Sequence, residues 1–592
     1  MPRVGFVACR RGIISYSSIV GKLLKKLIYF SSILAAILIL PACGGSGGGG
    51  GGGVDPPAAS VTVSGRITYD RVPFSAAAGQ GLDYGQTFES PARRIVVEAL
   101  RSNGNVITST ATDDDGMYSV QVPASTDVRI RARAESVVAG TAGAPASWRV
   151  SVRNNVGGNA LYVLDSTLFN SGVAAQTRDL RAASGWGGAS YTSTRAAAPF
   201  ALLDTVYASI RFVVDQGGFT EAFPSLDLYW STQNMSSSDF APSAGRILTT
   251  GYYSLQGGVG DGIYVLGNAG LGVASDTDEY DQHILAHEFQ HYIEYKFSRS
   301  DSLGGAHSIS DRLDLRVAFS EGFADAFSGM VLGDPVYRDS YGAGQSQDIH
   351  IDMEVNPVTV RGWFGEASVA SIAWDLFDTV ADGVDTGSVG FAPMLDVLRD
   401  ELRTGVPLDS MFAFASALKQ RPGVDSALVN ALLAREQTRA VGITPYADGE
   451  TNDGGLPDSL PVYAQLALNG PTAEVCGTAD AGSYNKLGNR RLLRFNVPTT
   501  RPVDIFVTSQ DIQVPISPDP DLYLWKAGFF DASECAGPGT GAGCTLPQAS
   551  ERYTGTLTAG DYVLEVFEYS HVDPDPGAIR RGRTCMLVTI TG

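Results

Sequence analysis

The pentapeptide His287-Glu288-Phe289-Gln290-His291 requires a helix if its two histidines are to act together. Positions i and i+4 share one helical face, so both imidazoles can reach a single metal ion at about 2.0–2.1 Å. Glu288 is offset by one residue, which brings its carboxylate near a metal-bound water without making it a ligand. The alternative is a helix whose two histidines are ordinary surface or core residues.

The helical pattern is expected to begin near Asp276-Thr277-Asp278, because Asp and Thr are good N-cap residues. His283 adds an ambiguity, since it forms an i, i+4, i+8 row with His287 and His291. The later pair is favoured because only that pair has a glutamate directly after its first histidine.

A metal held by two histidines needs a third protein ligand, with the fourth position left open for water. A metzincin would have that ligand at position 297 and Gly at position 294, but Phe297 and Glu294 stand there, so that class is excluded. Further on, Glu321 and Asp325 are spaced i, i+4 on one helical face. Glu321 can ligate the metal, and Asp325 can accept the free ring N–H of a ligand histidine.

A solvated helix face is the alternative for Glu321 and Asp325. The neighbouring residues are too apolar for it: Phe319, Phe323, Ala324 and Phe327. This Glu-x-x-x-Asp after His-Glu-x-x-His resembles the gluzincin, or thermolysin-like, zinc metallopeptidases over about residues 196–380. The loop between His291 and Glu321 is longer here than in thermolysin itself.

The resemblance implies a mainly helical α+β zincin domain that hydrolyses peptide bonds in a protein or peptide substrate. It implies Zn²⁺ bound by His287, His291 and Glu321, Glu288 as the general base, and Asp325 behind a ligand histidine. Two other functions stay open. They are a noncatalytic surface binding or adhesion protein on the same scaffold, and an exopeptidase of the same clan, for which no Gly-x-Met-x-Asn-like motif is present.

Gluzincins also carry a residue from a later segment that stabilises the oxyanion. Residues 361–366 resemble the third-helix region of fungalysin-like gluzincins, but no histidine stands where theirs does. Arg361 and His350 are the candidates, and a structural role is the alternative for each. The strand predicted at 262–267 is either the edge onto which an extended peptide adds or simply a cover for the core.

The N-terminus has the pattern of an export signal. Basic residues up to Lys26 precede an apolar stretch, 27–40, that is too short to span a bilayer comfortably. Leu40-Pro41-Ala42-Cys43 resembles the lipobox of bacterial lipoproteins. This implies a lipid anchor on Cys43 and a body in the periplasm or on the cell surface, with Gly44 favouring the outer membrane. An ordinary secretory signal is the alternative.

The cysteines and the charge agree with export. The last 120 or so residues hold Cys476, Cys535, Cys544 and Cys585, which allow three pairings. The pairs Cys476–Cys585 and Cys535–Cys544 are favoured, because the first brackets the last domain and the second flanks a Gly-rich loop. A zinc site is the alternative, although no CxxC pair is present. The chain carries a net charge of −20, which excludes nucleic acid as a partner.

The predicted fold is multidomain, with a helical zincin domain between two β-sandwiches. Residues 112–120 resemble carboxypeptidase-regulatory-like domains, and residues 519–524 and 560–566 resemble bacterial pre-peptidase C-terminal domains. The expected order is a signal peptide at 1–42, a Gly-rich tether at 43–58, a β-sandwich at 59–165, the zincin domain at 180–440, a linker at 441–475 and a β-sandwich at 476–592. Ca²⁺ is a second candidate cation, but no loop with a recognisable calcium spacing is present.

Overall fold

The computed structural model describes residues 59–77, 79–254, 261–381, 383–509, 516–532 and 549–592. The signal segment, the tether, Cys43 and the Cys535–Cys544 pair lie outside these residues, so these predictions stay predictions. Strands dominate both ends of the described chain, and helices dominate its middle. None of the described helices is both long enough and apolar enough to span a membrane.

The N-terminal part consists of strands, because β-branched residues alternate with polar ones and bury one face. In the first strand Val61 and Val63 lie opposite Val122 and Val120 of an antiparallel neighbour. The strands are β1 (Ser60–Arg71), β2 (Phe88–Pro91), β3 (Ile95–Arg101), β4 (Val106–Ala111), β5 (Met117–Pro123), β6 (Asp127–Val138), β7 (Trp148–Asn154), β8 (Ala160–Leu161), β9 (Val163–Asp165), β10 (Phe169–Asn170), β11 (Gln176–Thr177) and β12 (Leu180–Ala182).

The middle of the chain is a helical layer packed on the same core. Its elements are α1 (Ala198–Asp215), β13 (Leu226–Trp230), β14 (Met235–Ser236), β15 (Arg246–Ile247), β16 (Gly251–Tyr253), β17 (Gly262–Val265), α2 (Gln282–Phe297), α3 (Leu315–Leu332), β18 (Val336–Tyr341), β19 (Gln347–Asp352), α4 (Glu366–Phe377), α5 (Phe391–Val397), α6 (Met411–Leu418) and α7 (Ser426–Arg435). Helix α3 packs between α2 and α4. Its Gly322 allows the close approach to α4, because an added Cβ would lie 2.4 Å from the Glu366 carbonyl oxygen.

The N-terminal sheet does not end at residue 165, where a separate sandwich was expected. Strand β7 pairs in parallel with β13, and one sheet runs in the order β16-β17-β13-β7-β6-β3-β4. Leu226 and Leu228 of β13 are buried in the core that the N-terminal strands share. Strand β17 is also internal, since β16 covers its outer side. Of the two roles considered for 262–267, the structure contradicts the peptide-binding edge, because β16 is the edge among the described strands.

The C-terminal part is a sandwich of two sheets with a core of its own. Its elements are β20 (Tyr463–Gln465), β21 (Ala473–Gly477), β22 (Arg490–Val497), β23 (Arg501–Ser509), β24 (Pro520–Trp525), β25 (Phe529–Ala532), β26 (Ser550–Leu557), β27 (Gly560–Glu568), α8 (Tyr569–Val572) and β28 (Thr584–Thr591). Strand β20 pairs with β22, so the sandwich begins inside the expected linker at 441–475. A disulfide joins Cys476 of β21 to Cys585 of β28.

A buried ion cluster ties this sandwich to the helical layer. Arg316, in the first turn of α3, is fully enclosed and donates to both carboxylate oxygens of Glu565 on β27, at 3.0 and 3.1 Å. Arg490 and Trp525 also contact that carboxylate, at 2.7 and 2.8 Å. Glu565 itself is 0% exposed. Its charge is therefore balanced by two arginines, Arg490 from the same sandwich and Arg316 from across the contact with the helical layer.

The sandwich is expected to lose stability as pH rises, because of Asp521 on β24. Burial raises the pKa of Asp521 to about 8, and the nearby carboxylates of Asp519 and Glu551 add to the shift. Above about pH 4 the unfolded chain gives up this proton while the folded sandwich keeps it, so unfolding becomes easier up to about pH 8. We expect Asp521→Asn to remove roughly 3–4 kcal/mol of this pH dependence in urea unfolding measured at pH 5 and pH 8. Equal pH dependence in both proteins would contradict the assignment.

Candidate metal centre

Helix α2 carries the histidine pair and begins later than expected. It starts at Gln282 with Asp281 at the N-cap position, so the N-cap predicted near Asp276-Thr277-Asp278 is wrong. The reason is that residues 276–278 belong to a loop with contacts of its own. Asp281 uses its carboxylate to accept hydrogen bonds from the backbone N–H and the hydroxyl of Ser340 on β18, at 2.8 and 2.9 Å.

Three donor atoms from α2 and α3 converge on one point. His287 Nε2 and His291 Nε2 are 3.0 Å apart, and Glu321 Oε2 lies 3.2 and 3.3 Å from them. Ligands bound at 2.0–2.1 Å to a tetrahedral zinc ion are about 3.3 Å from one another. His287 and Glu321 are buried, and the side chain of His291 is 18% exposed. Their spacing therefore fits a single zinc ion.

The hydrogen bonds of the rings turn both Nε2 lone pairs toward this point. His287 Nδ1 lies 2.8 Å from Asp325 Oδ1, and this carboxylate can only accept, so Nδ1 carries the hydrogen. His291 Nδ1 faces Glu294 Oε2 at 3.5 Å in the same way. Two bare nitrogens and a carboxylate oxygen at such distances in a buried site repel one another unless a cation joins them. The donor set thus fits a metal by its chemistry as well as its spacing.

The ionisation of these groups points in the same direction. Burial lowers the pKa of His287, but hydrogen bonds to Asp325 and Glu321 outweigh it and raise that pKa to about 10. Burial would raise the pKa of Glu321, yet the two histidine rings hold it well below its usual range. Both shifts indicate that the three groups favour a positive charge between them.

Glu288 lies beside the metal ligands and is held from the neighbouring edge strand. Its Oε2 accepts the backbone N–H of Tyr252 on β16 at 2.6 Å. Burial raises the pKa of Glu288, although the two histidines oppose the shift. The hydrogen bond from Tyr252 therefore fixes one oxygen of the Glu288 carboxylate, and the side chain is largely shielded from solvent.

Two more ionisable side chains lie next to the three converging residues. They are Glu366 at the start of α4 and His307 in the loop between α2 and α3. Burial raises the pKa of Glu366 well above its usual range, with Asp325 and Glu321 adding to the shift. His307 Nε2 lies 3.5 Å from Glu366 Oε2 and 3.8 Å from Glu321 Oε2. Its Nδ1 donates to the Gly305 carbonyl oxygen at 3.0 Å. This imidazole therefore borders the metal centre directly.

The structure does not bring Arg361 or His350 to the centre. Arg361 donates to Glu436 Oε1 at 2.5 Å and to the Asn356 carbonyl oxygen at 2.7 Å, which hold its guanidinium at the end of α7. His350 is largely exposed on β19 beside Asp348. His283 faces Ser328 Oγ at 2.9 Å, away from the three ligands. These contacts account for all three side chains without a metal.

Sequence reasoning missed His307, Tyr337 and Glu366. The ring of Tyr337 on β18 lies 6.1 Å from that of His287, and burial raises the pKa of its hydroxyl well above the usual range. His307 lies in the loop between His291 and Glu321. The unusual length of this loop was the sequence feature that could have pointed to His307. Glu366 ends the segment 361–366 whose resemblance to a third-helix region was its signal, but Arg361 was chosen from that segment instead. Tyr337 had no signal, because it lies in a segment outside the motifs.

Comparisons with known proteins give one family match. No curated protein matches the chain. Among solved structures, the pre-peptidase C-terminal domain of collagenase from Bacillus anthracis is similar at 13% identity, over 22% of this chain and 93% of that one, with a TM-score of 0.15. CorA, a surface-associated copper-binding protein of Methylomicrobium album BG8, also has 13% identity, over 22% and 96%, with a TM-score of 0.15. Neither likeness is close enough to bear on function.

The family match covers the whole of the metal centre. Residues 252–407 match the model of the mycolysin C-terminal domain. This range begins at Tyr252, which holds Glu288, and contains α2, α3 and α4 with all the residues that line the centre. The match supports a zinc-metallopeptidase-associated domain over these residues.

Proposed function

We propose that this chain is a zinc-dependent endopeptidase whose metal is held by His287, His291 and Glu321. The observation that carries the proposal is the convergence of their three donor atoms at 3.0–3.3 Å with both histidine lone pairs turned inward. When bound, zinc is a Lewis acid that acidifies water and polarises a carbonyl oxygen. The match of residues 252–407 to a peptidase-associated family supports the same reaction class.

Each neighbouring residue has a role that follows from its contacts. Glu288 accepts a proton from the attacking water and later delivers it to the leaving amine, while the Tyr252 N–H keeps one of its oxygens in place. Asp325 holds the hydrogen on His287 Nδ1 and so keeps Nε2 free to ligate. Strand β16 is the sheet edge nearest to Glu288. We assign it the binding of an extended peptide substrate.

We assign stabilisation of the oxyanion to His307 as an imidazolium, because its Nδ1 donates to the Gly305 carbonyl oxygen and its Nε2–H, beside Glu321, is then a second donor next to the ligands. His307→Gln is expected to lower kcat by about 10²-fold while KM changes little, since the donor acts mainly on the transition state. The matched control is His350→Gln, which changes an exposed histidine of the same domain. Equal kcat values for the two variants would contradict the assignment.

Asp325→Asn is expected to weaken zinc binding 10–100-fold, because Asn accepts the His287 Nδ1 hydrogen less strongly and carries no charge. Competition with a coloured zinc chelator measures this affinity. The matched control is Asp334→Asn, a carboxylate near His283, which is not a ligand. An unchanged zinc affinity in Asp325→Asn would show that this hydrogen bond does not prepare the ligand.

The test of the proposed function combines elemental analysis with a peptide-library digest of the purified protein. We expect one zinc ion per chain and internal cleavage of peptides that stops when zinc is removed and returns when it is restored. Stoichiometric zinc with no cleavage of any peptide would overturn the catalytic proposal in favour of a binding protein. Release of terminal residues alone would assign an exopeptidase instead.

We also propose that the body is exported and anchored through a lipid on Cys43. The support is the segment Leu40-Pro41-Ala42-Cys43 and the Gly-rich residues after it. Mass spectrometry of the mature N-terminus tests this proposal. An unmodified Cys43 would reject the anchor and leave an ordinary secretory signal.

A further inference from the structure

Three carboxylates form a second cluster outside the metal centre. Asp276 and Asp278 lie in the loop before α2, and Asp339 lies on β18. One oxygen from each lies within 4.8 Å of one oxygen from each of the others. We call these three residues the aspartate cluster. They come from two segments that are separate in sequence and meet beside the N-terminus of α2.

Two oxygens of the cluster are buried without a partner. Asp278 is only 3% exposed, and its Oδ2 accepts a hydrogen bond from the Thr250 hydroxyl. Its Oδ1 is enclosed and has no hydrogen-bond partner among the described residues, and the same holds for Asp276 Oδ1. A buried carboxylate oxygen without a partner is costly, and native proteins seldom keep one. These oxygens therefore indicate a missing ligand.

No cationic side chain compensates the cluster. Among the described residues, no Lys, Arg or His forms an ion pair with any of its three carboxylates. The nearby Arg338 instead pairs with Asp348 at 3.3 Å, and Arg195 pairs with Glu279. Burial, with the neighbouring carboxylates adding to it, raises the pKa of Asp278 and of Asp339 well above the usual range. At neutral pH the cluster thus needs either protons or a cation.

We propose that Asp276, Asp278 and Asp339 bind a calcium ion. Ca²⁺ is a hard cation that takes six to eight oxygen ligands, including carboxylates, backbone carbonyls and water, in flexible geometries. The aspartate cluster offers only oxygen and has no imidazole, which separates it from the zinc-type donor set of the metal centre. The binding assignment does not depend on the catalytic proposal.

The position of the cluster gives the ion a structural role. It would join the loop that leads into α2 to β18, and next to it Asp281 already binds Ser340 of β18. Helix α2 carries His287, and β18 carries Tyr337, which faces that histidine. Thr250, which contacts Asp278, directly precedes the edge strand β16. A bound Ca²⁺ would therefore fix α2, β18 and β16, which surround the metal centre, relative to one another.

The test is a titration of CaCl₂ into full-length protein stripped of metal and reloaded with one equivalent of Zn²⁺. Calorimetry counts the sites, and thermal unfolding measures the stabilisation. We expect saturable Ca²⁺ binding and a Tm rise of about 5 °C at a hundredfold excess over the dissociation constant. Asp278→Asn and Asp339→Asn should each lose this binding and this shift and still contain zinc.

The variants are expected to fold, because each removes a charge from a repulsive cluster, and circular dichroism checks this. The control Asp215→Asn changes an exposed carboxylate that pairs with Arg211 at the end of α1, and it should keep the full Ca²⁺ response. Absence of Ca²⁺ binding in the unaltered protein would overturn the proposal. So would a Tm shift that persists in both cluster variants, or an equal shift with MgCl₂ at the same concentration.

Discussion

Glu288→Gln is expected to lower kcat/KM for peptide hydrolysis by 10²–10⁴-fold and to leave the zinc content unchanged. Gln keeps the shape of the side chain and can still accept the Tyr252 N–H, but it cannot take a proton from water. The three metal ligands are untouched, because Glu288 is beside them and is not one of them. Casein cleavage and elemental analysis on the same sample measure both quantities.

The control for this variant is Glu221→Gln, which changes an exposed glutamate paired with Arg399. It should cleave casein at the rate of the unaltered protein. If Glu288→Gln cleaves casein equally fast, Glu288 is not the general base. If Glu288→Gln loses zinc, the loss of activity comes from the missing metal. Glu288 then has a structural role at the metal site and is not assigned as the general base.

Glu565→Gln is expected to lower the free energy of unfolding by about 3–5 kcal/mol, the largest stability effect we predict. The substitution leaves two buried arginines, Arg316 and Arg490, with the Asp314 carboxylate as their one remaining buried counter-charge among the described residues. Burial of an uncompensated charge is costly. Denaturation in urea, followed by fluorescence, measures the change. Since Arg316 lies five residues before Glu321 on α3, zinc affinity should also fall.

A surface pair in the same sandwich serves as the control. Asp504 pairs with Arg552, and both side chains are about a third exposed or more. Asp504→Asn should cost less than about 1 kcal/mol, because water replaces the lost contact. A similarly small loss for Glu565→Gln would show that the buried cluster does not hold the sandwich against the helical layer.

The proposed metal ligands and Asp325 were accessible to sequence reasoning because each pair follows from the geometry of one helix. His287 and His291 are four residues apart, as are Glu321 and Asp325, and this spacing alone places each pair on one face. The structure brings the two faces together, with Asp325 on His287 at 2.8 Å. Apolar neighbours such as Phe323 indicated that the carboxylate pair is buried.

The oxyanion candidates and the domain boundary were not accessible in this way. Arg361 lies in a segment that resembles the expected region, and His350 was the second candidate, but Glu436 and the β18–β19 hairpin hold them elsewhere. The strands at 59–165 have the alternation of a sandwich, and nothing in that pattern reveals that β7 pairs with β13. Pairing between distant strands depends on edges and core shape that a local pattern does not contain.

The amino-acid sequence alone thus determined most helices and strands and the two i, i+4 pairs. These features depend on how side chains repeat along a single element. Only the tertiary structure decided which loop borders the ligands, where the sheet ends, and that Asp339 meets Asp276 and Asp278. The physical reason is that these contacts join residues far apart in sequence. They form only when several elements pack on a common core.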